Sequence, residues 1–298
     1  MKVAAIDCGT NALRLLVLQQ GEDGTVVELT RQLRLVRLGE GVDRTGQFAP
    51  AALARMMTAL SDYAAELDRW GVTRVRFVAT SAARDVTNAN EFRTRVEHCL
   101  HVPAEIITGA EEAAWTFTGA VAGVPTATPP VLVTDIGGGS TELVEGGKSI
   151  DRAVSLNIGS VRLRERFLSA DPPTPDQLVA ATTQIDADLD SVDLSGVGTW
   201  IGVAGTVTSM GALRLGLTDY DRAAVHGLTL TKAEIHAISQ RLNTTAAADL
   251  VSRALPRLRA EVIAGGALIC ARIAARVTSP MTISENDLLD GVAHGLLD

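Results

Sequence analysis

The stretch VTDIGGGSTELVEGG, residues 133–147, decides the fold. An apolar run ends on Asp135 and Ile136, three glycines follow, and Ser140, Thr141 and Glu142 lead into a second apolar run. Two apolar runs joined by a glycine turn read as a β-hairpin. The bare tip has two readings. It is a tight turn and no more, or it leaves main-chain N–H groups open to an anion, a nest that side chains would block. The same plan opens the chain, where VAAIDCGTNALRLLV (residues 3–17) places Asp7 before Gly9, Thr10 and Asn11. Two copies of one acid-bearing hairpin imply two lobes of one design facing each other across a cleft.

Outward from these hairpins the chain alternates strands and helices. TVVELTRQLRLVRLG reads as a third strand, VRFVAT and AEIIT as strands, and NANEFRTRVEHCL as a helix with Phe92, Val96 and Leu100 inward. Leu53, Met56, Leu60, Ala64 and Leu67 recur at spacings of three and four, so 51–70 is an amphipathic helix. Strand–helix alternation gives an α/β class. The Pro- and Thr-rich run AGVPTATPP (122–130) is the best linker candidate. Thr174 with Gln177, and Thr231 with Glu234, form capping boxes at two helix starts. Residues 260–277 form a strongly apolar helix in which Gly265 and Gly266 permit close packing or approach to a ligand, and Ser284 is expected to cap a last helix ending at Leu297.

Composition narrows the function. At 298 residues the chain has room for two domains. Aromatics are only 3%, which weakens any nucleic-acid reading that needs stacking platforms. The net charge of −8 would repel a polyanion, so a phosphate site needs local positive charge or a metal. Cys8, Cys99 and Cys270 form no C-x-x-C pair and read as reduced fillers in a cytoplasmic protein. An acid at position 7 leaves no signal-peptide core, and the two long uncharged stretches are broken by Pro, Gly and Thr, so no membrane span is expected. Glu142 removes three familiar motifs at once. A Walker loop ending in Gly147-Lys148-Ser149, a dinucleotide fingerprint on Gly137 and Gly139, and a nucleophile elbow on Ser140 would each need glycine there.

Four stretches together, AIDCGTNALRLL, ATSAARD, ITGAEEA and DIGGGSTELV, resemble the exopolyphosphatase and guanosine pentaphosphate phosphohydrolase family. SLNIGSVRLRERF, GVAGTVTSMGAL, VHG and EVIAGGALI extend the resemblance along the chain. That family belongs to the actin, heat-shock-chaperone and sugar-kinase superfamily. The resemblance implies two actin-like (ribonuclease H-like) lobes, each a mixed sheet with flanking helices, with the active-site cleft between them. Lobe I would span residues 1–123, lobe II residues 124–283, and the helix over about 284–298 would pack back on lobe I. The chain has no His-Asp dipeptide and is similar to the short two-domain form.

By the same resemblance, Gly9, Thr10 and Asn11 match one phosphate loop and Gly137, Gly138, Gly139, Ser140 and Thr141 the other. Arg84 matches a substrate-phosphate arginine and Glu112 the carboxylate that activates water. Asp135 and Glu142 match acids that position metal or water, and Gly205 and Thr206 match a loop that meets the nucleoside in nucleotide-binding relatives. Asp7, Asp135 and Glu142 are the candidate ligands of a magnesium or manganese ion, since Mg²⁺ keeps several waters and needs only one or two carboxylates. Asp290 stands where the family more usually has arginine.

The residues then suit water attack on a phosphoanhydride, with Glu112 as general base and Arg84 as a phosphate fork. Taken alone, Glu111 and Glu112 are also a helix-start acid pair, Arg84 and Asp85 a surface ion pair, and Arg31, Arg34, Arg37 and Arg44 a solvated face as readily as a polyanion track. His226 is either a packed ring or a substrate contact. The leading expectation is an exopolyphosphatase releasing terminal orthophosphate from inorganic polyphosphate. The alternatives are a guanosine pentaphosphate 5′-phosphohydrolase, a kinase or ATPase of the superfamily, and a non-catalytic sensor of polyphosphate or nucleotide. A homodimer is the expected assembly.

Overall fold

A computed structural model describes residues 1–297. The chain divides into two compact units, one of Met1–Gly119 with the segment from Leu288 on, the other Ala120–Asp287.

In the first unit, strands β1 (Lys2–Cys8), β2 (Ala12–Gln20) and β3 (Val26–Leu35) form an antiparallel meander. A bulge at Val17/Leu18 bends its outer pair. Helices α1 (Val42–Thr45) and α2 (Pro50–Trp70) lead to β4 (Arg74–Ala79), and α3 (Ser81–Arg84) and α4 (Ala89–Leu100) to β5 (Ala104–Ile106). The sheet order is β3-β2-β1-β4-β5, with β1, β4 and β5 parallel. Strand β1 is apolar at successive positions because both its faces are covered. Ala4 and Ile6 join a core with Leu13, Leu15, Met56, Leu60, Phe77 and Phe92. Val3 and Ala5 turn the other way, with Leu16, Leu18 and Val78, and pack on Leu289 and Val292 of a C-terminal helix.

Helix α5 (Gly109–Gly123) carries the chain into the second unit. There β6 (Val131–Ile136), β7 (Thr141–Gly146) and β8 (Ile150–Leu156) repeat the meander. Helices α6 (Ser160–Arg166) and α7 (Pro175–Leu189) precede β9 (Thr199–Val203); α8 (Ala204–Arg214) and α9 (Arg222–Val225) precede β10 (Thr229–Leu230). Then come α10 (Lys232–Thr244), α11 (Ala247–Leu250), α12 (Arg257–Ala274) and β11 (Met281–Ile283); α13 (Leu288–His294) returns to the first unit. The sheet order is β10-β11-β9-β6-β7-β8, with β6, β9 and β11 parallel. Both capping boxes are present, at α7 and α10.

The glycine pair on α12 serves packing. A Cβ at Gly266 would lie 2.7 Å from Thr206 Cγ2, and one at Gly265 3.1 Å from Leu163 Cβ. The helix therefore lies flush against the starts of α6 and α8. Ser284 does not cap a helix: its hydroxyl donates to Asn286 O (2.8 Å) and accepts from Asn286 N (3.1 Å), a closed turn, and α13 begins only at Leu288. The three cysteines are free. Burial pushes the Cys270 thiol up to about 12, and burial with the neighbouring Asp7 charge raises Cys8 further. Among the described residues no helix is long and apolar enough to cross a membrane.

Asp290 is an interior anchor. It is 3% exposed and takes Arg31 Nη2 at 2.5 Å and Nη1 at 3.1 Å, tying α13 to β3. Arg31 also bonds Glu28, so it is committed within the unit and drops out of any substrate track. Removing one partner of a buried ion pair strands the other charge. Asp290→Ala is therefore expected to lower stability by about 3 kcal/mol, read from urea unfolding followed by circular dichroism. An unchanged midpoint would contradict this role.

Candidate active site

In each sheet the parallel strands deliver the sequence-predicted residues to their carboxyl ends, the edge where open α/β sheets bind ligands. In the first unit Gly9 follows β1, Arg84 lies just beyond β4 and Glu112 just beyond β5. In the second, Gly137 follows β6 and Gly205–Thr206 follow β9.

The two hairpins match atom for atom in their turn bonds. Gly9 N donates to Ala12 O (2.9 Å), as Gly137 N does to Ser140 O (3.0 Å). In both, the tip carbonyls are tied back by the segment after the third strand. Gly39 N bonds Thr10 O at 2.9 Å, while Val36 N and Arg37 N converge on Asn11 O at 3.0 and 2.9 Å. In the second unit Ser160 N bonds Gly137 O at 2.9 Å, and Val161 N and Arg162 N bond Gly138 O at 2.9 and 3.1 Å. Arg162 Nε reaches Gly139 O at 2.8 Å. A trans peptide points its N–H opposite to its C=O. Tying back the carbonyls of 137, 138 and 139 therefore turns the amides of Gly138, Gly139 and Ser140 outward. Among the described residues these three amides have no protein partner, nor do those of Thr10 and Asn11. None of the three glycines has a left-handed φ. The turn does not need glycine for its conformation; the bare tip leaves the amides uncovered.

The residues facing across the strands differ between the copies. Asp7 lies opposite Arg14, which donates Nε (2.8 Å) and Nη2 (2.5 Å) to its Oδ2. At the matching place Asp135 lies opposite Glu142, and both acids are buried, 6% and 1% exposed. Glu142 Oε1 accepts from Ser155 Oγ at 2.8 Å. Like charges directly opposite are unfavourable, so Asp135 and Glu142 suit a hard cation, whereas Asp7 is already neutralised by Arg14. No cluster of three or more metal-ligating side chains occurs among the described residues. This does not conflict with Mg²⁺, which takes one or two carboxylates plus water and phosphate oxygens.

Glu111 and Glu112 separate into different roles. Thr108 and Glu111 close a capping box: Glu111 Oε2 accepts from Thr108 N and Oγ1, both at 2.8 Å, and Thr108 Oγ1 accepts from Glu111 N. The Thr108 amide, then its hydroxyl, hold the Glu111 carboxyl below its ordinary value. Glu112 turns inward, 6% exposed, and Oε2 accepts Arg84 Nη1 at 2.8 Å. The same Nη1 reaches Ile107 O at 2.9 Å. Arg84 Nε and Nη2 have no protein partner among the described residues, so one edge of the guanidinium is open to an oxyanion.

Other predicted residues make contacts within the fold. Thr141 Oγ1 donates to Ile158 O at 2.7 Å and Thr206 Oγ1 to Ile136 O at 3.0 Å, both fixing the base of the glycine turn. Gly205 lies beneath the Arg259 guanidinium, and the preceding Ala204 has φ 66, a left-handed value rare for alanine. His226 Nδ1 accepts from Glu285 N at 3.1 Å, a tie between two loops. The Ser140 hydroxyl keeps its capacity: it has no protein partner among the described residues. Arg162 and Arg259 were not foreseen from the sequence.

A model of the Ppx/GppA phosphatase family matches residues 17–298. The chain belongs to that family. It is 42% identical to exopolyphosphatase 2 of Mycobacterium tuberculosis, over 99% of this chain and 98% of that protein. It is 31% identical to a bifunctional 3-dehydroquinate synthase/phosphatase of Fusobacterium nucleatum, covering 97% of this chain and 45% of that protein. Among solved structures, an exopolyphosphatase-like protein superposes with a TM-score of 0.94 at 38% identity, covering 100% of this chain and 99% of that one. The Ppx/GppA family member of Aquifex aeolicus gives 0.82 at 30% identity, covering 100% and 98%. The two sheets with their flanking helices are thus the actin-like pair of this family.

Proposed function

We propose that the protein is an exopolyphosphatase. The observation that carries this reading is the pair of matched hairpins whose carbonyls are tied back and whose amides stand open, together with Glu112 held on Arg84. The unpartnered amides in each unit suit phosphate oxygens, and the similarity to exopolyphosphatase 2 points to polyphosphate. The amides of Thr10, Asn11, Gly138, Gly139 and Ser140 bind phosphate oxygens, with the Ser140 hydroxyl as a further donor. The open edge of Arg84 takes the terminal phosphate.

Glu112 accepts a proton from the attacking water as its oxygen bonds to the terminal phosphorus. The bridging P–O bond breaks, orthophosphate leaves, and the chain is one phosphate shorter. The leaving group is the shortened polyphosphate, a weak base, so no general acid is assigned. Asp135 and Glu142 would hold the magnesium ion, which supplies charge neutralisation at the phosphates.

The test is a parallel turnover assay on short and long polyphosphate, guanosine pentaphosphate and ATP, each with Mg²⁺ and with a chelator. Orthophosphate release from polyphosphate that disappears with chelator is the expected result. Release only from guanosine pentaphosphate, or from ATP alone, would overturn the substrate assignment.

A further inference from the structure

Each tied-back carbonyl in the hairpins has its own anchor, and one anchor differs in kind. In the first hairpin Thr10 O and Asn11 O are held, among the described residues, by main-chain amides alone. In the second, Gly137 O and Gly138 O are held by main-chain amides of residues 160–162, whereas Gly139 O takes a side chain, Arg162 Nε at 2.8 Å. The peptide joining Gly139 to Ser140 is the one whose N–H points outward from Ser140. Arg162 is half-buried at the start of α6, and its own amide bonds the adjacent Gly138 O at 3.1 Å. The residue therefore grips two consecutive carbonyls of the turn, one through its backbone and one through its guanidinium.

Resting on the exopolyphosphatase reading, we infer that Arg162 is a positioning residue for phosphate binding: by holding Gly139 O it fixes the Ser140 amide toward the anion. A guanidinium donating to a carbonyl makes a charge-assisted bond, stronger than a neutral one. Its charge, one peptide behind the amide, also polarises that N–H toward a better donor. Unlike the main-chain anchors, this one can be removed by a side-chain substitution that leaves the backbone donors in place.

The test compares Arg162→Met and Arg162→Lys with wild type. Three readouts are needed: kcat and KM for polyphosphate across pH, orthophosphate affinity by calorimetry, and amide exchange of residues 137–141 in the ligand-free protein. For Arg162→Met, kcat/KM and orthophosphate affinity should each fall roughly 10- to 100-fold, the usual cost of losing a partner that orients a binding group. The pH profile should keep its shape, and amide exchange should rise with no ligand present. Arg162→Lys, which keeps a donor, should recover part of both losses and slow the exchange.

Lost affinity with unchanged ligand-free exchange would make Arg162 a direct phosphate contact and overturn the inference. Unchanged affinity and turnover would overturn it too. If Arg162→Met does not fold, Arg162→Lys read by exchange decides: exchange equal to wild type with weakened binding counts against positioning. The calorimetry and exchange need no turnover, so a wild type that binds orthophosphate but leaves polyphosphate intact removes the substrate reading and leaves this inference to be judged separately.

Discussion

Glu112→Gln is expected to slow orthophosphate release by roughly 10²–10⁴-fold, the range a positioned general base supplies, while polyphosphate binding stays nearly intact. The amide is isosteric, and its oxygen can still accept Arg84 Nη1, which now sits 2.8 Å from the carboxylate. The pair therefore keeps this hydrogen bond and loses the carboxylate's charge and its basicity. Glu112→Ala is the harsher variant, because it leaves a largely buried guanidinium without its carboxylate. Stopped-flow phosphate release alongside equilibrium binding separates the two effects. Release persisting within about tenfold of wild type, below the usual range for a base, would remove Glu112 from the chemistry. Glu111→Gln is the internal control. Its carboxylate is spent on the Thr108 cap, so it should alter helix stability and leave turnover alone.

The second large effect is expected from a residue with no functional group. Gly159 lies behind the triple-glycine turn, and a Cβ there would come 2.7 Å from Gly139 N and 2.5 Å from Gly138 C. Both atoms are backbone, so neither a rotamer change nor a flexible side chain relieves the clash. The turn must move, and its amides lose their aim. Misplacing positioned donors by about 1 Å costs on the order of 10²-fold, so Gly159→Ala should lose at least that in kcat/KM. The fold should survive, since overpacking one methyl group costs about 1–3 kcal/mol. Turnover with thermal melting checks both halves. A folded Gly159→Ala protein with wild-type activity would show that the turn's position does not matter.

Much of this was legible in the sequence because it is local. The period of apolar residues set the strands and helices, and the glycine tips with their aspartates exposed the internal repeat. The hairpin register also follows from the turn, so Arg14 opposite Asp7 and Glu142 opposite Asp135 could have been read by counting outward from the tips. That count would have shown Asp7 to face an arginine in its own strand pair and Asp135 to face a second acid. Glu112 is different. Nothing in its neighbourhood in sequence separates it from Glu111, and only the family resemblance singled it out. The structure separates the two by their partners: Glu111 takes Thr108, and Glu112 takes an Arg84 guanidinium that arrives from beyond a different strand.

What stayed hidden is long-range. Arg162 stood in a stretch recognised for its family likeness, yet its partner is a carbonyl 23 positions earlier. A backbone acceptor leaves no trace in side-chain chemistry. Arg259 over Gly205 is of the same kind. Ser284 misled for the opposite reason, because serine before a charged, apolar run mimics an N-cap, whereas here it closes a turn on Asn286 four residues before the helix starts. The arginine run from Arg31 to Arg44 could not be resolved by composition. Arg31 is drawn inside by Asp290, a residue far along the chain.

The most direct test of the account is the location of bound orthophosphate in a crystal of the protein with Mg²⁺. Phosphate oxygens within hydrogen-bond distance of the Gly138, Gly139 and Ser140 amides are the predicted result. Density for the ion away from that turn, with the amides still unpartnered, would contradict it.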